Sequence, residues 1–447
     1  MLPSPGLYFA FLAVCAAVLA LASFRHDRLL GWIVIFALSV NFIGAGLMGW
    51  WVQRVHGREY SGGDEVSYQW EGQRLLASWR TGDTSYVRAT VGIFAPINAA
   101  VISVAGPGYT PMRLTTALVG AIGVAAAFWL AMLLYRSVMT ARIAAFLCAT
   151  SPLLILFSWA NLRERWIGTA VLLAMIAAML TILRPTWRRV AALIASVWLL
   201  TELRHYWGTL VGYLVIAGSL FFGASRWPRR LLNTAIVTIA VGCALWAVTE
   251  TFLGLGIRHE TVVRYVPTVA SQPASAREGP PPSVDPSLTT PSAGTAQPSA
   301  VAAAEKPAVP YSGPTLGESQ AAPRPTPSVL IGNASFILFG RVHARADGGQ
   351  FASVFLLPEA LWSVLLFPLA LVGVLVAVRR GNLAVLIPAA YVGAIMAVLS
   401  WLRGEDWSTY RFRNLYWPVL LILVAGGITW TYEWWIAHRQ AAGAART

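Results

Sequence analysis

The stretch SGGDEVSYQWEGQRLLASW, residues 61–79, decides how the rest of the chain is read. Two strongly apolar runs precede it, yet it is polar. Asp64 and Glu65 follow Gly62-Gly63, and a helical pattern then begins. At 100° per residue Asp64, Tyr68, Glu71 and Leu75 fall on one face, with Trp79 beside them. The pattern predicts a short amphipathic helix along a membrane surface, with its acids at the start. Two readings of the acids fit. They serve chemistry at the lipid–water boundary, or Ser61-x-x-Asp64 caps the helix and the first-turn carboxylates complement its dipole.

The composition fixes the setting. Of 447 residues, 57% are hydrophobic and 12% charged, and the mean hydropathy is +0.62. Soluble domains carry roughly 25% charged residues, so the chain reads as an all-α, multi-pass membrane protein. The net charge of +14 is nearly all arginine, since Lys306 is the only lysine. The arginines gather at the ends of apolar runs, without the basic–aromatic interleaving of a nucleic-acid groove. Cys15, Cys148 and Cys243 lie inside apolar runs and read as small hydrophobes, with no zinc spacing.

Apolar runs occur near 6–24, 29–51, 112–135, 141–160, 166–183, 207–224, 231–255, 353–378, 383–402 and 415–436. A shorter one at 189–203 brings the expected spans to eleven. The first run lacks a basic leader and a cleavage site, so a span is expected there rather than a signal peptide. Arg25, Arg28, Arg136, Arg142, Arg184, Arg188, Arg189, Arg226, Arg229, Arg230, Arg379, Arg380, Arg439 and Arg446 fall in alternate, short connections. That pattern predicts a plasma-membrane protein with its N-terminus outside and its C-terminus cytoplasmic. Three regions follow: 1–264, with a first outer loop at 52–111; a Pro/Ser/Ala-rich outer loop at 265–328, expected to be disordered; and 329–447. Within the first loop, 89–111 is broken by Pro96 and Gly106-Pro107-Gly108 and reads as a re-entrant or interfacial hairpin.

The outer connections hold the candidate chemistry. Beside Asp64, Glu65, Tyr68 and Arg74 come Asn161-Leu-Arg163-Glu164-Arg165-Trp166, Arg204-His205, and Tyr410-Arg411-Phe412-Arg413. Paired arginines around a carboxylate can hold a phosphate while Glu164 orients one of them. Snorkelling and structural ion pairing are the plainer alternatives. His205 is either functional at membrane depth or a neutral hydrogen-bonding residue. Asp64 and Glu65 alone make a poor cation site, so either no metal or one weakly held divalent cation (Mg, Mn or Ca) is expected. Nucleophile elbows, Walker loops and zincin motifs do not occur.

In their order along the chain these residues resemble the C-type glycosyltransferase superfamily (GT-C). The similarity is to bacterial relatives of protein O-mannosyltransferases and lipid A aminoarabinose transferases. It rests on Gly63-Asp64-Glu65 with Tyr68 before an amphipathic helix, Arg113-Leu114 opening a small-residue span, and Ser151-Pro152. Leu162-Arg163-Glu164, and Tyr410-Arg411-Phe412-Arg413 before a last span with Pro418, complete it. It covers about 55–225 and 355–435. The resemblance implies transfer of a sugar from a polyprenyl-phosphate donor to a glycan, lipid or protein acceptor outside the membrane, in cell-envelope glycan biosynthesis. It implies Asp64, or Glu65, as base or acceptor-orienting group, and Arg163, Arg165, Arg204, Arg411 and Arg413 as holders of the carrier phosphate. Two features depart from the family: two apolar runs precede the acidic loop where one is usual, and no soluble C-terminal domain is recognisable. A polyprenyl-pyrophosphate-dependent oligosaccharide polymerase or ligase would use the same outer arginines. A lipid or glycan transporter is the alternative of another class, for which paired broken spans are the expected sign. The partners expected throughout are membrane lipids and no nucleic acid.

Overall fold

The structure is a computed structural model and describes residues 4–57, 59, 63–82, 92–222, 227–254, 350–402 and 408–444. For 55, 56, 63, 205, 222, 248–254, 350–364, 399–402, 408–412, 443 and 444 it describes the backbone alone. Every regular element among these residues is helical. In chain order they are α1 (Pro5–His26), α2 (Arg28–His56), α3 (Gly63–Thr81), α4 (Phe94–Ala105), α5 (Thr110–Tyr135), α6 (Val138–Thr150) and α7 (Pro152–Trp159). Then come α8 (Arg163–Leu183), α9 (Trp187–Leu203), α10 (His205–Phe222), α11 (Trp227–Gly254), α12 (Gln350–Arg379), α13 (Leu386–Leu402) and α14 (Ser408–Ala444).

Among the described residues six helices, α1, α2, α5, α8, α11 and α14, are long and apolar enough to cross a membrane, and the bent pair α6–α7, taken as one span, makes seven. Helices also cover the other expected runs, but α10, α12 and α13 have shorter apolar lengths among the described residues. The 17-residue α9 is amphipathic. The outward faces suit a lipid solvent: Leu7, Phe11, Val14 and Leu21 of α1 are all exposed, an arrangement that water would penalise.

The helices start and stop where the sequence allows. Asp27 caps α2 by accepting from Leu30 N–H at 2.8 Å. Pro111 occupies the first turn of α5, where its missing N–H costs nothing. Ser151-Pro152 breaks one run into α6 and α7 with a 53° bend. Proline cannot donate to the preceding turn, so the chain re-caps on Ser151. That hydroxyl also accepts from Trp417 Nε1 at 3.1 Å, tying the bend to α14.

The helices run alternately between two ends. At one end Arg142 pairs with Asp27 at 2.8 Å, Arg380 with Glu433 at 2.7 Å, and the Asn382 amide donates to Leu134 O. The Arg142 guanidinium holds the Asp27 carboxyl below the usual carboxylate range. At the other end Ser4 N–H donates to Val104 O at 2.7 Å and Tyr8 OH to Pro111 O at 2.9 Å. α3 and α4 lie at this second end, packed through Leu75, Leu76, Ala95, Ala99 and Ile102. The expected hairpin at 89–111 is, in its described part, the helix α4 packed on α3.

Small residues set the closest helix contacts. A Cβ at Gly373 of α12 would stand 2.0 Å from Leu423 O, and one at Gly427 of α14 would stand 2.0 Å from Leu369 O. Backbone cannot yield as a side chain can, so Gly373→Ala should push α12 and α14 apart. Overpacking costs about 1–3 kcal/mol, read as a drop of several degrees in Tm in detergent. Gly242→Ala, which meets nothing within 4 Å, should leave Tm unchanged.

Candidate functional site

The two adjacent acids at the start of α3 part company because neighbouring helical positions differ by 100°. Glu65 points inward with Gln69, Gly72 and Leu76 and is fully buried, whereas Asp64 is half-buried. Glu65 accepts from Arg113 Nε and Nη2, each at 2.7 Å, in a two-pronged ion pair. Its Oε1 also accepts from Asn161 N–H at 3.0 Å. Arg113 Nη2 donates in addition to Glu59 O at 2.8 Å. Glu65 therefore lies inside the bundle, paired with Arg113, and apart from Asp64. Both its oxygens are committed, and a cation at the Asp64–Glu65 pair would have to displace a guanidinium. Among the described residues no three His, Cys, Asp or Glu side chains come together to hold an ion.

The pair fixes three elements to one another. α3 contributes Glu65, α5 contributes Arg113, and the α7–α8 connection contributes Asn161. Asn161 Nδ2 donates to Asn98 Oδ1 of α4 at 2.8 Å, and Asn98 donates onward to Phe94 O. Gly72 lets α3 approach there, since a Cβ would stand 2.7 Å from that of Asn98.

On the neighbouring face of α3, a second group assembles. Asp64, Tyr68 and Glu71 lie at i, i+4 and i+7. The Arg163 guanidinium lies over the Tyr68 ring at 5.6 Å. Burial pushes the Glu71 carboxyl up, and the nearby Arg163 charge opposes that rise. Tyr68 is braced edge-on by Phe94 at 4.9 Å, and Phe94 by Trp166 at 5.8 Å. Arg204, at the extended junction between α9 and α10, reaches the buried Glu164 at 3.8 Å and lies over Tyr206 at 5.2 Å. Glu164 thus reaches an arginine from another connection, Arg204.

The three charged residues that open α8 diverge. Arg163 turns to α3 and Glu164 to Arg204. Arg165 is buried and donates from Nη2 to Gly120 O of α5 at 2.7 Å. Its place inside the bundle removes it from the group around Arg163. Arg413 is also buried, with its guanidinium 4.9 Å from the Trp417 ring. Its neighbour Asn414 packs where a side chain at Gly168 would meet Asn414 O at 2.8 Å. That approach fixes the start of α14 against α8 one turn and more along from Arg163. Arg74 stacks over Trp70 at 4.1 Å on the exposed face of α3. The side chains of His205 and Arg411 and the stretch 265–328 lie outside the described residues.

Several residues here carried no sequence signal of their role. In the sequence Arg113 reads only as the opening of a span, and nothing marks Asn98 or Gln69. Buried polar atoms collect at this end with no hydrogen-bond partner among the described residues: the Gln69 amide, Arg163 Nε, Glu202 Oε1 and Trp207 Nε1. Such atoms are satisfied by water or by a bound polar molecule.

Compared with known proteins, the chain matches no protein-family model, and no curated protein and no solved structure is significantly similar to it.

Proposed function

We propose that the chain is a GT-C-type glycosyltransferase of the plasma membrane, with eleven spans, its N-terminus and the α3 end outside, and its C-terminus cytoplasmic. It takes a sugar from a polyprenyl-phosphate donor and passes it to a hydroxyl of an extracytoplasmic acceptor. The acceptor oxygen attacks the anomeric carbon while Asp64 takes its proton. The bond from that carbon to the carrier phosphate breaks, and the phosphate leaves with the electron pair. Arg163 and Arg204 hold the developing charge. Glu65 and Arg113 position α3, and no step is routed through a metal.

One observation carries this reading. Residues 64–71, 163–164 and 204 are remote in sequence, yet they meet at one end of the bundle: Arg163 over Tyr68, and Arg204 on Glu164. A carboxylate one helical turn from the tyrosine that Arg163 covers, at the margin of apolar helices, suits a lipid-borne phosphate and a water-borne acceptor. The test is the lipid that copurifies with the full chain. Mass spectrometry should find a polyprenyl-monophosphate sugar. Its occupancy should fall about tenfold or more in Arg163→Gln/Arg204→Gln, as expected for lost charge-assisted hydrogen bonds. A pyrophosphate-linked oligosaccharide in its place would shift the reading to a polymerase or ligase. Equal occupancy in both proteins would remove these arginines from the site.

A further inference from the structure

At the end opposite α3, two helices open alike: α9 with Trp187-Arg188-Arg189 after Arg184, and α11 with Trp227-Pro228-Arg229-Arg230. Asn233 Nδ2 of α11 donates to Ile182 O at 3.1 Å, which ties the start of α11 to the end of α8 and so to the α8–α9 turn. Arg189 is spent on the fold, capping α8 through Leu180 O at 3.3 Å and Arg184 O at 2.8 Å. Arg184, Arg188 and Arg229 are exposed. Arg188 lies over the Trp187 ring at 5.4 Å and Arg230 over Trp227 at 5.8 Å. Both indoles are bare, 76% and 58% exposed.

Elsewhere at this end the protein supplies its own counter-charge, Asp27 for Arg142 and Glu433 for Arg380. Here the chain supplies none nearby in sequence. Residues 165–201 and 203–249 contain no Asp or Glu, and Glu202 sits at the far end of α9. Leu183, Leu231 and Leu232, all exposed, continue the patch into apolar surface.

We propose that this patch binds the headgroup of an anionic phospholipid, with its acyl chains along Leu183, Leu231 and Leu232. The phosphate provides the negative charge the sequence omits around Arg184, Arg188 and Arg229. The two tryptophans lie at headgroup level, where an indole keeps its ring in apolar surroundings and its N–H in water. A zwitterionic lipid carries a cation of its own and gains less. A dissolved phosphate would leave the adjoining leucines unused.

The test is native mass spectrometry of the purified full chain in detergent. Phosphatidylglycerol and phosphatidylcholine of identical acyl chains are added at equal concentration. The wild type should retain phosphatidylglycerol in preference. Each arginine removed should cut that preference about fivefold, so Arg184→Gln loses one such step and Arg188→Gln/Arg229→Gln two. Arg379→Gln, at another corner of the same end, should keep it. Equal retention of the two lipids by the wild type would overturn the proposal, as would an unchanged preference in the variants. So would displacement of phosphatidylglycerol by millimolar inorganic phosphate, which would make the patch a site for a soluble anion.

Discussion

Asp64→Asn should lower the rate of sugar transfer by about 10²–10⁴-fold, the usual worth of a positioned general base. The amide nearly matches the carboxylate in size but cannot take a proton from the acceptor hydroxyl. Folding and donor occupancy should not change, because Asp64 lies on the half-buried face of α3 and the anchor of that helix is Glu65. The diagnostic result is a collapse in the turnover of bound donor with lipid occupancy within about twofold of wild type. A variant that transfers at the wild-type rate would remove Asp64 from the chemistry. One that loses donor and rate together would make it a binding residue instead.

The buried pair should behave in the opposite way. Glu65→Ala leaves the Arg113 guanidinium, 1% exposed, without its carboxylate, and Arg113→Ala leaves Glu65 equally stranded. Breaking such a pair from one side costs about 3–5 kcal/mol. Each single variant should therefore melt far below wild type or fail to run as one species in detergent. Lost activity should follow lost structure. Removing both charges together, as Glu65→Leu/Arg113→Met, should be milder than either single change, because an apolar pair of similar size needs no counter-ion. Single variants that melt like wild type would mean that α3 is held by its Leu75–Ala99 packing alone.

The contrast between these neighbouring acids shows what the sequence could and could not tell. Helical existence was legible because apolar runs of about 20 residues have few alternatives in a chain so poor in charge. The arginines recur in alternate connections, and Arg142 and Arg380 each meet a carboxylate from another helix or connection. Asp64 and Glu65, by contrast, look interchangeable in a string of letters. Their separation depends on which of two faces, 100° apart, α3 turns to its neighbours. Arg113 stands 48 residues from Glu65, and no periodicity joins residues on different helices. Arg163 and Arg165, grouped by the sequence, point to different neighbours for a local reason. A helix sends residues two apart to different sides, and Gly120 offers Arg165 a backbone carbonyl inside the bundle. The α12–α14 contact was likewise hidden, since a glycine in an apolar run announces a close approach only once its partner is known.

The most direct measurement follows the sugar itself. Purified full-length chain is reconstituted in vesicles with a polyprenyl-monophosphate donor labelled in its sugar, and envelope extract is supplied as acceptor on the side of α3. The account predicts that label leaves the lipid for the acceptor, that unglycosylated polyprenyl phosphate accumulates in equal amount, and that Asp64→Asn abolishes both. Label that stays on the carrier, or crosses the bilayer still attached to it, would contradict a transferase.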